Sequence, residues 1–176
     1  MFLLHLDKHY KTTVSFTYQG EVASNRNKLI DEFLLTDYDW LLFLDNDILP
    51  PSNIMDMVYT NEHICSGVYY QRILDKCLPT IYDIKDDVYQ ALNDIPYDTL
   101  IEVKGAGAGC LLIDRTVFET IKKPYFKIEY DDKGYIATGH DLYFCDKVRE
   151  AGFKIYCDTR MICSHYKTIE LKKEGE

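Results

Sequence analysis

Asp45 and Asp47 stand one residue apart directly after a short apolar stretch, Trp40–Leu44, and their types and spacing suggest metal chemistry. Side chains alternate along a strand, so residues i and i+2 point to the same side. Two carboxylates about 4 Å apart repel by roughly 4 kcal/mol at an effective dielectric of about 20. The pair therefore predicts a compensating cation, and a divalent metal bound by oxygen atoms fits. The alternative is a turn in which Asp45 or Asn46 bonds the local backbone, but a buried strand leading into both acids favours the metal.

A third carboxylate, Asp141, stands at the start of a predicted helix, three residues after Thr138. In the first turn of a helix the backbone N–H groups favour an ionised carboxylate, and such a group can act as a general base. The same spacing also fits a capping box, in which Thr138 caps the helix and Asp141 bonds back to it. The local sequence leaves both interpretations open.

Three further features could belong to a site but are ambiguous by themselves. His165 follows an apolar segment, and a lone histidine is more often structural than a metal ligand. Arg26 lies on a predicted helix, where a solvated cation on an exposed face is the simpler interpretation. The small residues at 105–109 could admit a ligand close to the backbone or allow close packing. They lack the lysine of a phosphate-binding loop and the spacing of a dinucleotide fingerprint.

Hydrophobic periodicity predicts the elements that position these residues. Strands are predicted at 12–18, 40–44, 63–70, 153–157 and 161–165, with extended segments within 101–113 and 125–135. Helices are predicted at 22–34, after Ser52, at 116–121 and at 141–151, and the polar stretch 74–98 is predicted to be a loop or a two-strand excursion. This alternation predicts an α/β fold with a mainly parallel sheet flanked by helices, in which ligands bind beyond the carboxyl ends of the strands.

Length and charge narrow the classes of protein. The 176 residues predict a single domain, with a charged, frayed tail at 167–176. The net charge of −9 argues against nucleic-acid binding through phosphate neutralisation. The six cysteines form no CxxC pair, which favours reduced thiols in a cytoplasmic protein. Neither a signal peptide nor a membrane-spanning segment is predicted.

Taken in chain order, these features resemble the family 2-like glycosyltransferases of the GT-A fold, especially their short phage and bacterial members. The resemblance is carried by four features: the Asp-x-Asp after a buried strand, the glycine-rich segment before Leu-Leu-Ile-Asp-Arg, the His140-Asp141 helix start followed by Arg-Glu-Ala-Gly-Phe, and the late Ser-His. It covers residues 20–166. A GT-A-like sheet and transfer of a sugar to an acceptor hydroxyl are the expectations that follow.

The resemblance also implies roles for individual residues. Asp45, Asp47 and His165 would hold Mn²⁺ or Mg²⁺ on the diphosphate of a sugar nucleotide, with Asp47 the more direct ligand and Asp45 nearer the ribose. Asp141 would deprotonate the acceptor hydroxyl, as the base of inverting members does. The nucleotide and sugar would contact three more residues: Arg26, Gly107 and Ala108.

Two departures from the family pattern have consequences. His140 occupies a position where the family usually has an acid. The family's first strand has no counterpart before residues 1–10, so the chain would be a fragment, or another subunit would supply the missing part, or nucleotide binding would be impaired. An uncovered sheet edge favours pairing with another chain, which makes a homodimer a hypothesis.

Two other functions remain as alternatives. The Asp45-Asn46-Asp47 segment also resembles the haloacid-dehalogenase-like phosphatases, in which Asp45 would be the nucleophile of a Mg²⁺-dependent aspartyl-phosphate mechanism. A non-catalytic module that binds sugar nucleotides or glycans is the other alternative, because the first strand is missing.

Overall fold

The computed structural model of this chain describes residues 10–17, 20–73 and 75–167. The helices are α1 (Val22–Leu34), a 3₁₀ helix (Ile54–Thr60), α2 (Arg115–Thr120) and α3 (His140–Glu150). The strands are β1 (Trp40–Leu44), β2 (Ile48–Leu49), β3 (Ile64–Val68), β4 (Tyr70–Ile73), β5 (Lys76–Pro79), β6 (Ile81–Lys85), β7 (Val88–Ala91), β8 (Leu100–Val103), β9 (Gly105–Ala106), β10 (Cys110–Asp114), β11 (Glu129–Tyr130), β12 (Ile136–Thr138), β13 (Ile155–Ile162) and β14 (Ser164–His165).

The central sheet has five strands in the order β1-β10-β3-β13-β8. Of its pairings only β3 with β13 is parallel, while β1–β10, β10–β3 and β13–β8 are antiparallel. The prediction of a mainly parallel, GT-A-like sheet is therefore wrong. Its reasoning assumed a crossover helix between successive strands, but after β3 the chain continues into hairpins, which connect only antiparallel strands.

Strands β5, β6 and β7 lie in the stretch 74–98, which was predicted to be a loop or a two-strand excursion. β4 pairs with β5, and β6 pairs with both β7 and β9, all antiparallel. Two further short pairs are β11 with β12 and β2 with β14. The β2–β14 pair connects the segment after β1 to the end of the described chain, which determines the geometry of the site.

Apolar side chains cover the central sheet on both faces. On β10, Leu111 and Ile113 belong to the cluster that packs against the three α-helices, whereas Cys110 and Leu112 belong to the cluster beneath the 3₁₀ helix. This alternation follows the period of two residues in a strand. The first cluster includes stacked and edge-on aromatic rings, of Phe33, Phe118, Phe126 and Phe144.

The helix at 22–34 is confirmed, and the side chain of Glu21 caps it by accepting hydrogen bonds from the N–H groups of Ala23 and Ser24, both at 2.8 Å. The strand predicted at 12–18 is wrong for residues 12–17, which form no strand, and Tyr18 lies outside the described residues. Ser52 does not cap the next helix, which is a 3₁₀ helix preceded by Asn53.

The end of the described chain and the cysteines were also the subject of predictions. The two closing strands are instead the long β13 followed by the short β14. Most of the charged tail and residues 1–9 lie outside the described residues. All six cysteines are free thiols, and five are buried while Cys77 is exposed. Within residues 10–17, 20–73 and 75–167, no helix combines the length and apolarity needed to cross a membrane.

Candidate functional site

A cavity of about 410 Å³ collects residues from distant parts of the chain. Its lining includes every residue singled out above except Ala108: Arg26, Asp45, Asp47, Gly107, Asp141 and His165. The remaining lining residues come from α1, the hairpin region, α3 and the segment after β14, and include Tyr69, Gln71, Thr80, Tyr82, His140 and Lys167. Residues separated by as many as 145 positions, from Val22 to Lys167, therefore line one cavity.

Asp47 and His165 face each other because β14 pairs with β2. His165 is opposite Ile48 in that ladder, and the Tyr166 N–H donates to the Asp47 carbonyl at 2.8 Å. The His165 Nε2 atom then lies 3.0 Å from Asp47 Oδ2, and its Nδ1 atom lies 2.7 Å from the Tyr70 carbonyl oxygen. Because a carbonyl can only accept, Nδ1 donates, and a neutral His165 presents the lone pair of Nε2 to the carboxylate.

This pair fits a divalent cation whose remaining ligands come from a bound molecule. Two acceptor atoms 3.0 Å apart need a proton or a cation between them, and a ligating histidine usually donates its other ring N–H to a carbonyl, as His165 does. Among the described residues, no group of three or more His, Cys, Asp or Glu side chains could hold a metal. A site completed by phosphate oxygens and water is typical of Mg²⁺.

The pKa of Asp47 is lowered from its ordinary value. Burial alone would raise it, but the contact with His165, together with the nearby ammonium group of Lys167, outweighs that effect. Asp47 is therefore ionised near neutral pH and able to bind a cation.

The Asp45 side chain faces the cavity, but the backbone that places it there is a turn and not the extended strand that was predicted. The chain turns immediately after β1, and the Ile48 N–H donates to the Asp45 carbonyl at 3.0 Å. Extended geometry therefore does not continue through Asn46. The Asp45 carboxylate faces the Nη2 atom of Arg26 at 3.0 and 3.3 Å. Its charge is balanced by this guanidinium, while Asp47 is paired separately.

Arg26 is buried rather than solvated, so the simpler interpretation of its sequence position is wrong. Only 4% of the residue is exposed, and its guanidinium lies 5.7 and 5.4 Å from the ring centroids of Phe43 and Phe126. It forms ion pairs with both Asp45 and Asp141. Burial opposes its charge, but the two carboxylates together raise the pKa of Arg26.

Asp141 lies in the first turn of α3, where Gly139 is the N-cap residue and no side chain caps the helix. Thr138 therefore does not form the capping box. Burial would raise the pKa of Asp141, but the contact with His140, the charge of Arg26 and the Ala108 N–H lower it below its ordinary value. The His140 Nδ1 atom is 2.7 Å from Asp141 Oδ1, though not aligned for a hydrogen bond to any described residue.

Tyr69 forms the floor of the cavity beneath the glycine-rich segment. It is 7% exposed, its hydroxyl accepts a hydrogen bond from the Gly109 N–H at 3.0 Å, and its ring meets that of His165 edge-on at 5.7 Å. A Cβ atom on Gly107 would fall well inside contact distance of the Tyr69 hydroxyl and 3.1 Å from Thr80 Cβ. Gly107 is therefore required by close packing, one of the two alternatives left open by the sequence.

We expect Gly107→Ala to lower the free energy of unfolding by roughly 1 to 3 kcal/mol, as overpacking does. Gly139→Ala is the control, since a Cβ atom there meets nothing within 4 Å, and it should cost less than about 1 kcal/mol. Urea denaturation measures both. A Tyr69→Phe background should reduce the effect of Gly107→Ala, and equal effects in both backgrounds would contradict the assigned clash.

Sequence reasoning missed Tyr69 and Lys167. Tyr69 lies in a predicted strand, where no pattern distinguished it from an ordinary core residue. Its position in the cavity became evident only from its contacts with Gly107 and Gly109. Lys167 was assigned to the tail, yet its Nζ atom lies 3.5 Å from Asp47 Oδ2. The side chain of Ala108 is fully buried, so this residue contributes to the site only through its backbone N–H, which contacts Asp141.

Among known proteins, similarity to this chain is found at the level of structure. No protein-family profile matches the sequence, and no curated protein is significantly similar to it. Among solved structures, the chain is similar to A197 from STIV, whose crystal structure superposes with a TM-score of 0.66 and 26% sequence identity. The match covers 88% of this chain and 72% of that chain. This similarity supports the mixed architecture of the central sheet.

Proposed function

We propose that this chain is a metal-dependent glycosyltransferase, which moves a sugar from a nucleotide-diphosphate sugar to an acceptor hydroxyl. One observation carries the proposal: Asp47 and His165, 118 positions apart, were expected to share a metal, and their side-chain atoms lie 3.0 Å apart in the cavity. An arrangement with His165 on another surface would have left no route to this chemistry. The proposal rests on the site residues and does not require a parallel sheet.

The site residues would have four roles in this reaction. Asp47 and His165 would bind Mn²⁺ or Mg²⁺, which supplies electrostatic stabilisation of the leaving diphosphate. Asp141 would accept the proton of the acceptor hydroxyl, in an inverting reaction. Arg26 holds Asp45 and Asp141 in place. Gly107, packed against Tyr69, would line the part of the cavity that holds the sugar.

Thermal unfolding in the presence of nucleotide-diphosphate sugars tests the proposal. Ligands that bind only the folded state raise its stability by mass action, so we expect at least one such sugar to raise Tm when Mn²⁺ is present and not when it is absent. Asp47→Asn should abolish this shift. The control is Asp132→Asn, an exposed carboxylate in a turn, which should retain it. A wild-type protein whose Tm responds to none of these sugars would contradict the proposal.

A non-catalytic module that binds sugar nucleotides is the second candidate, and one observation favours it. Asp141 is ion-paired to Arg26 and has a lowered pKa, which makes it a weak base. Hydrolysis or transfer of the sugar, lost in Asp47→Ala, would exclude this candidate. No described feature favours the phosphatase alternative, because both oxygens of Asp45 face Arg26; stabilisation by beryllium fluoride rather than by sugar nucleotides would revive it.

Two further proposals concern the location of the protein and its oligomeric state. A cytoplasmic location is supported by the six free cysteines. A homodimer is supported by β1 and β8, which form the two edges of the central sheet within the described residues. Light scattering that reports a strict monomer would contradict the dimer.

A further inference from the structure

Lys167 lies at the cavity mouth beside Asp47, although the sequence placed it in a charged tail. The backbone just before it is fixed, because β14 pairs with β2 and the Tyr166 N–H bonds to the Asp47 carbonyl. The Lys167 side chain is 57% exposed, and its Nζ atom lies 3.5 Å from Asp47 Oδ2. Such an exposed pair contributes little to stability, so stabilisation of the fold does not explain its position.

The charges that line the cavity leave Lys167 as the cation accessible to a ligand. Among the cavity-lining residues of the described chain, Arg26 and Lys167 are the only arginine and lysine. Arg26 has a side chain that is 5% exposed, and Asp45 and Asp141 already engage it. Lys167 instead shares one oxygen of Asp47 with His165. A divalent cation between Asp47 and His165 would compete with the ammonium group for that oxygen.

We propose that Lys167 is a diphosphate-binding residue that exchanges partners. It pairs with Asp47 when the site holds no ligand, and it moves to a phosphate oxygen of the diphosphate when the metal and the ligand are bound. Like charges repel, so Lys167 leaves Asp47 once a divalent cation is there, and an ammonium-to-phosphate hydrogen bond replaces the one it loses. This inference rests on the proposed function and adds to it the residue that contacts the leaving group.

The exchange predicts that Lys167→Met has opposite effects on two affinities. Affinity for Mn²⁺ alone should rise by about threefold, because a competing cation has been removed. Affinity for the preformed Mg²⁺–pyrophosphate complex should fall by about tenfold, because one charged contact has been lost. The first affinity is measured from the electron paramagnetic resonance signal of free Mn²⁺, and the second by isothermal titration calorimetry in excess Mg²⁺.

Two variants control for charge and folding. Lys167→Arg keeps the positive charge and should bind Mg²⁺–pyrophosphate within about threefold of the wild-type protein. Lys28→Met makes the same change of charge on the exposed face of α1 and should alter neither affinity. If Lys167→Met weakens both affinities, or changes neither, the exchange is overturned and the proposed function stands. If the wild-type protein itself fails to bind Mg²⁺–pyrophosphate, the metal-dependent function falls and the exchange falls with it.

Discussion

Arg26→Met is expected to lower the free energy of unfolding by about 3 to 5 kcal/mol, the usual cost of removing one partner from a buried ionic group. Methionine can occupy the space between the rings of Phe43 and Phe126 that the guanidinium now fills. The loss therefore comes from the charges. Asp45 and Asp141 would face each other across the cavity without the cation that now bridges them.

The same variant should change how stability depends on pH. In the wild-type protein the pKa of Asp141 is lowered, so its ionised form stabilises the fold above its unfolded-state pKa of about 3.9. That contribution is lost as pH falls through the folded-state pKa. Without Arg26 the pKa of Asp141 rises, and protonation then relieves the unpaired charge. The difference between wild type and Arg26→Met should therefore shrink between about pH 7 and pH 3.

Arg115→Met provides the matched control, because that arginine donates to the backbone carbonyls of Tyr38, Phe33 and Thr36 at 2.8, 3.2 and 2.7 Å. Its loss removes hydrogen bonds without leaving a buried carboxylate unpaired, so its effect should be nearly the same at both pH values. Asp141→Asn should recover part of the stability lost in Arg26→Met. Urea denaturation of the wild type, Arg26→Met, Asp141→Asn and the double variant measures this coupling. An Arg26→Met effect that is small or independent of pH would refute the bridging role.

Six of the candidate residues from the sequence line the cavity, because an acid or a histidine keeps its chemistry wherever the chain places it. Paired acids after a buried strand were enough to select Asp45 and Asp47. Local patterns left His165 and Asp141 ambiguous, and the resemblance to the glycosyltransferases selected them. Local sequence patterns could not predict which of these side chains would pair with each other or with Arg26. Arg26 looked like a solvated cation because helical periodicity reports which face of α1 is apolar, while burial of a charge depends on carboxylates supplied by other elements.

The fold was predicted less well, and the reason is physical. A short apolar run such as Trp40–Leu44 identifies a buried strand but carries no information on the direction of its neighbour. β10 lies between β1 and β3 and runs against both, and this arrangement depends on hairpins in 74–98 that show weak periodicity. The helices at 22–34 and 140–150 were recoverable because periodicity or a stop signal marked them. Gly152, with φ of 90°, provides the stop signal after α3.

Asp141→Asn decides between an enzyme and a binding module, and its expected effect is the largest on any rate. Removing a general base costs typically 10²- to 10⁴-fold. Because the pKa of Asp141 is lowered by His140 and Arg26 against the opposing effect of burial, it is a weak base, and we expect a loss of about 10²-fold in sugar transfer or hydrolysis. Affinity for Mg²⁺–pyrophosphate should stay within about threefold, since Asp47, His165 and Lys167 would bind that part of the ligand.

Asp146→Asn makes the same chemical change on the next turn of α3, where the carboxylate pairs with Tyr89 and Arg149 outside the cavity. Its rate should match that of the wild-type protein. A fall in both rate and affinity in Asp141→Asn would indicate a collapsed site rather than a lost base, and urea denaturation would separate the two. An unchanged rate would remove Asp141 from the chemistry. Arg26 would then hold a carboxylate whose role is to position its neighbours, and the cavity would be better explained as a binding site.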